Sequence, residues 1–155
     1  MKIVINSCFG GFSLSPLATK RLAKLNGRKC YFFVMSKDKL EPVKLEEADK
    51  AFVWYAYDIP NPNKVLLSAE NWHEMSFEER KAANDAADAA DKHNINSRTI
   101  DRNDPKLIQV IEELGVKANG KYAKLTIVEI PDDVEWTIEE YNGNEHVAEV
   151  HRVWR

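Results

Sequence analysis

Ile3, Val4 and Ile5 form a short continuous apolar run, as do Tyr31, Phe32, Phe33 and Val34, and β-branched and aromatic runs of this length predict buried strands over 3–5 and 30–35. Between them Leu14, Ala18, Leu22 and Leu25 recur at helical spacing. A helix is therefore predicted from Pro16 to Leu25, with proline at the favoured first position and Asn26-Gly27 as the stop. Strand, helix and strand in this order predict a right-handed crossover between parallel neighbours.

The stretch from Ser36 to Lys50 is charged, contains Pro42 and reads as a surface linker. Residues 51–57 alternate, with Phe52 and Trp54 on one side and Val53, Tyr55 and Tyr57 on the other. A core strand is favoured there over a stacking platform for bases. Asp58-Ile59-Pro60-Asn61-Pro62 then breaks regular structure. Ser76 and Glu79 make a capping box for a helix to about Lys92, whose alanines bury little area. Asp85, Asp88 and Asp91 recur along it, but Lys81 and Lys92 stand four residues from Asp85 and Asp88, so surface ion pairs explain the pattern better than a metal site.

Further on, Arg98 to Ile100 reads as a short strand, and Asp104 and Pro105 as the cap and first residue of a helix striped by Leu107, Ile108, Ile111 and Leu114. Leu125 to Ile130 follows as a strand, so a second strand, helix and strand echoes the first. Residues 134–141 and 144–154 form a hairpin about Asn142-Gly143, which sets Ile138 opposite Val147, Trp136 opposite Glu149 and Glu139 opposite His146.

The 155 residues suffice for one core, so the expectation is a single α/β domain, with a mixed sheet, packed helices and a C-terminal antiparallel hairpin. A content of 44% hydrophobic and 30% charged residues excludes a disordered chain. The net charge is −3, and the basic group Lys20, Arg21, Lys24, Arg28 and Lys29 fits a solvated helix face better than a nucleic-acid footprint. Cys8 and Cys30 make no disulfide framework and point to a reducing cytoplasm. Neither a signal peptide nor a membrane span is legible.

The candidate chemistry lies where the first strand meets the first helix. Gly10 and Gly11 permit a tight turn, and Ser13 or Ser15 can cap the helix. Free backbone N–H groups there suit an anion. If the 101–104 loop leaves the same end of the sheet, Arg102 supplies a fork for phosphate or carboxylate. The expected ligand site is Asn6, Ser7, Phe9, Gly10, Gly11, Phe12, Ser13, Ser15 and Arg102, with Phe9 or Phe12 as the stacking surface. The glycines lack both the full dinucleotide fingerprint and a phosphate-loop lysine, so tight packing is the competing explanation. No metal or cofactor is implied, and no catalytic residue is assigned. Cys8 fits a buried small side chain better than a nucleophile.

Two blocks carry a resemblance: Met1-Lys-Ile-Val-Ile-Asn6 through Gly10-Gly-Phe-Ser-Leu-Ser15, and Asp101-Arg-Asn-Asp-Pro105 through Ile127-Val-Glu-Ile-Pro-Asp-Asp-Val-Glu-Trp136 and His151-Arg152. In these the chain resembles small accessory proteins encoded by tailed bacteriophages and prophages, and because the resemblance leaves out residues 36–96 it implies a variable insertion there within the single domain. The resemblance implies action in the host cytoplasm as a counter-defence factor. The leading expectation is a protein that sequesters a small phosphate-bearing, nucleotide-derived host signal. A protein-binding inhibitor of a host factor is the alternative, and a hydrolase or transferase using Cys8 or Asp101 and Asp104 ranks last. A homo-oligomer stays open.

Overall fold

The computed structural model describes residues 1–37, 39–62, 72–152 and 154. Its elements run β1 (Lys2–Asn6), α1 (Pro16–Leu25), β2 (Tyr31–Ser36), β3 (Lys39–Val43), α2 (Leu45–Lys50), β4 (Tyr55–Tyr57), α3 (Phe77–Asp91), α4 (Pro105–Leu114), β5 (Leu125–Glu129), β6 (Trp136–Tyr141) and β7 (Asn144–Glu149). The α/β class and the C-terminal hairpin are as expected. Two compact units can be distinguished, Met1–Asn26 with Asn96–Arg155, and Gly27–Ile95.

The mixed sheet and its parallel crossover do not form. Among the described residues every strand pairing is antiparallel: β1 with β5, β2 with both β3 and β4, and β6 with β7. Lys37, at φ 55°, turns the chain straight back after β2, so that Ser36 pairs with Lys39. A hairpin closes a much shorter loop than a crossover does, and the supposed linker supplies its second strand.

In the first unit, Val4 packs with Leu14 just before α1, with Ala18 and Leu22 along α1, and with Leu107, Val110 and Ile111 of α4. Burying each large apolar side chain contributes about 1.5–3 kcal/mol, so this cluster holds the two helices on the strand. Ser15 accepts from Ala18 N and caps α1, and Asp104 accepts from Lys106 N and caps α4. The strand expected at 98–100 is instead a 3-10 turn, Ser97–Thr99. Asn96 Oδ1 accepts from Arg98 N and Thr99 Oγ1 donates to Asn96 O, local bonds that compete with an extended chain. Hairpin β6–β7 has the expected register at all three pairs, including Glu139 with His146 at 3.1 Å.

In the second unit, β2 lies between β3 and β4, and Pro42 sits on the edge strand, where a missing N–H is tolerated. Phe32 meets Trp54 edge-on at 5.7 Å, and Phe33 meets Tyr57 at the same spacing. Only Tyr55–Tyr57 of the expected 51–57 strand is a strand, because Ala51 closes α2 through Glu47 O and Phe52 stands exposed. α3 has the expected capping box, with Ser76 accepting from Glu79 N, and buries only Ala90.

Candidate functional site

β1 ends at Asn6, which is fully buried. Its Nδ2 donates to the carbonyls of Cys8 and Gly143, both at 2.7 Å, while Oδ1 accepts from Lys124 N at 2.8 Å and the Cys8 thiol at 3.3 Å. The Asn6 backbone N–H donates to Glu145 Oε2 at 2.8 Å. Arg102 grips the same carboxylate as a fork, Nη1 to Oε2 and Nη2 to Oε1, both at 2.9 Å. Nη1 also reaches Val4 O at 3.3 Å, and the guanidinium carbon stands 3.4 Å from the centre of the Phe12 ring. Arg102 and the Asn6 N–H thus converge on one anion, and the Phe12 face backs the guanidinium. That anion is the protein's own Glu145, whose side chain is only 6% exposed.

The other expected residues are distributed around this point. Ser7 Oγ donates to Lys124 O at 3.1 Å and lies 3.0 Å from Thr126 Oγ1. The Cys8 thiol donates to Tyr122 O at 3.1 Å. A Cβ on Gly10 would stand 1.6 Å from Tyr122 O, and one on Gly143 would stand 2.5 Å from Gly11 N. The paired glycines are therefore packed between the 122 region and the hairpin turn. Ser13 lies against Gly120, and Ser15 Oγ donates to Lys117 O at 2.6 Å as well as capping α1. These two serines belong to the helix junction and take no part in the Glu145 contact. Asp101 accepts Asp104 N through its carbonyl, and Asp104 is committed to its cap.

Glu145, Gly143, Tyr122 and Tyr141 were not among the expected site residues. Glu145 had a readable signal, because two-residue alternation from Asn142-Gly143 puts it on the same hairpin face as Val147, Ile138 and Trp136. An acid continuing an apolar face needs a cation. Around the turn, Phe9, Tyr122 and Tyr141 are exposed to 69%, 58% and 73%. Tyr141 shares the outer hairpin face with Glu139 and Thr137.

A separate polar cluster occupies the second unit. Asp58 receives Arg28 Nε and Nη2 on Oδ2 at 3.1 and 3.0 Å, and its Oδ1 lies 2.8 Å from His93 Nδ1. Partial burial alone would raise the Asp58 pKa, but hydrogen bonds from His93 and Arg28 and their charges outweigh it and hold the carboxyl below its ordinary value. Asp58 N also donates to His93 O, so the cluster ties the end of β4 to the chain leaving α3. No family model, curated protein or solved structure matches the chain.

Proposed function

We propose that the chain is a phage accessory protein that binds a host protein in the host cytoplasm, through Phe9, Tyr122 and Tyr141 and the acidic outer face of β6–β7. The observation that carries this reading is the exposure of three large aromatic side chains around one packed turn. Aromatic anchors dominate the energetics of protein interfaces, and each here stands on a segment braced by its neighbour. Glu135 and Glu139 on the exposed surface select a partner with a basic patch. Among the described residues no helix is long and apolar enough to cross a membrane.

The test is capture from a host extract by the wild-type chain and by a Phe9→Ser, Tyr141→Ser double variant. The expected result is a specific host protein retained by the first and lost by the second at unchanged melting temperature. Equal retention by both removes the aromatic surface from function.

A second reading keeps the small phosphate-bearing, nucleotide-derived signal as ligand. It is supported by the fork that Arg102 and the Asn6 N–H already present to a planar anion. Such a ligand must displace Glu145. A nucleotide panel that raises the melting temperature of a Glu145→Gln variant supports sequestration. No rise in either protein with any nucleotide rejects it.

A further inference from the structure

In the β1–β5 ribbon, Val4 lies opposite Ile127 and Asn6 opposite Leu125. Val4 N donates to Arg102 O and Asn6 N to Glu145, so these pairs point their peptide groups away from each other. Leu125, Ile127 and Glu129 consequently turn theirs to the outer edge of β5. Asn119 Oδ1 accepts from Leu125 N at 3.0 Å. Among the described residues no hydrogen bond meets the outward N–H or C=O of Ile127 or Glu129.

An edge strand is normally protected by proline, a bulge, an inward charge or a cover. Leu125-Thr-Ile-Val-Glu129 has neither proline nor glycine, and it places β-branched Thr126 and Val128 on one face and half-buried Leu125 and Ile127 on the other. Its two ends carry opposite charge, with Lys121 and Lys124 before it and Glu129, Asp132 and Asp133 at and after its end. Such a strand is complementary to an inverted copy of itself.

We propose that the outer edge of β5 docks a second copy of this chain, strand to strand and antiparallel about Ile127, in a symmetric dimer. Each Ile127 N–H donates to the other copy's Ile127 carbonyl, and each Glu129 N–H to the other copy's Leu125 carbonyl, while Leu125 N turns from Asn119 Oδ1 to the other copy's Glu129 carbonyl. Thr126 of each copy faces Val128 of the other, a cross-strand pairing of β-branched side chains. The basic end of one strand meets the acidic end of its mate. The ribbon becomes four strands wide, with the two open edges consumed and isologous contacts throughout.

Sedimentation of the full chain from about 1 µM to about 1 mM is the test, and the weight-average mass should rise from one chain towards two. Thr126→Glu with Val128→Glu sets like charges opposite each other and should weaken the dimer more than about tenfold. Thr126→Lys with Val128→Glu makes the same positions complementary and should restore it. A chain that stays monomeric throughout, or a dimer indifferent to the paired-glutamate variant, overturns the proposal. Amide exchange of wild-type protein covers the case in which a variant does not fold. Ile127 and Glu129 should become protected as concentration rises, and dimerisation that leaves them unprotected also overturns it.

Discussion

Along β1 the outward N–H groups of Val4 and Asn6 end on the Arg102 carbonyl and the Glu145 carboxylate, whereas along β5 those of Ile127 and Glu129 meet no partner among the described residues. The ribbon is therefore closed on one side by a buried ion pair and left open on the other. The difference shows what the arginine fork is for in this fold. Arg102 and Glu145 satisfy a strand edge and seat the hairpin at the same time, because the carboxylate that completes the edge is carried on β7. A neutral side chain would close the edge with fewer bonds, and one charge alone would be buried without a partner.

The largest expected effect comes from breaking the closed edge. Glu145→Ala leaves the mostly buried Arg102 guanidinium unpaired and the Asn6 N–H unmet, and should cost about 3–5 kcal/mol in denaturant unfolding. It should also speed exchange of the Asn6 amide while leaving the Ile127 amide as it was. Loss of stability without that selective change would mean that the pair supports the hairpin but does not close β1.

Next in size is the turn that carries the carboxylate into place. Gly143 has φ +85° and would drive a Cβ into Gly11 N, while Gly11 at φ +82° has open space for one. Gly143→Ala should therefore cost about 1–3 kcal/mol, from overpacking added to backbone strain. Gly11→Ala should cost about 1 kcal/mol from the backbone alone. Equal costs would show that the turn does not bear on the glycine loop.

The smallest effect contrasts the buried pair with an exposed one. Arg21 on α1 donates through Nε and Nη2 to Glu113 on α4, and with Gln109 it holds the Glu113 carboxyl at about 2, below its ordinary 4.5. A carboxyl lowered in the folded state contributes stability that is complete above pH 4.5 and is lost as pH falls through about 2. Glu113→Gln should therefore lower stability slightly above pH 4.5, leave it unchanged below about pH 2, and flatten the acid limb between them by the same small amount. An unaltered acid limb would place the acid sensitivity elsewhere, for example at Asp58.

Local structure was largely legible because its causes are local. Pro16 and Pro105 at first helical positions, the Ser76 and Glu79 box and the Asn142-Gly143 turn each act within a few residues, and each stands where it was expected. Local signals fail where a distant partner decides. Spacing alone does not say whether strands are joined by a crossover or by a hairpin, and Lys37 at positive φ carries none of the usual turn signature. Residues 51–53 alternate like a strand but follow α2 without a partner strand to pair with. At the candidate site, the sequence pointed to an anion held by Arg102 and the N–H groups of the Gly10–Ser13 loop, whereas the anion present is Glu145, 43 residues from Arg102, and the N–H that meets it is that of Asn6, 139 residues away.

Periodicity, caps and turn residues by themselves determined the first strand, the helices after Ser15, Ser76 and Asp104 and the register of the last hairpin, because those features depend on neighbours a few positions away. Which strands pair, which edge is closed, and that Glu145 rather than a ligand occupies the arginine fork were decided only by the tertiary structure. A buried charge must find its counter-charge, and that search runs through space, over separations for which a linear sequence has no signal.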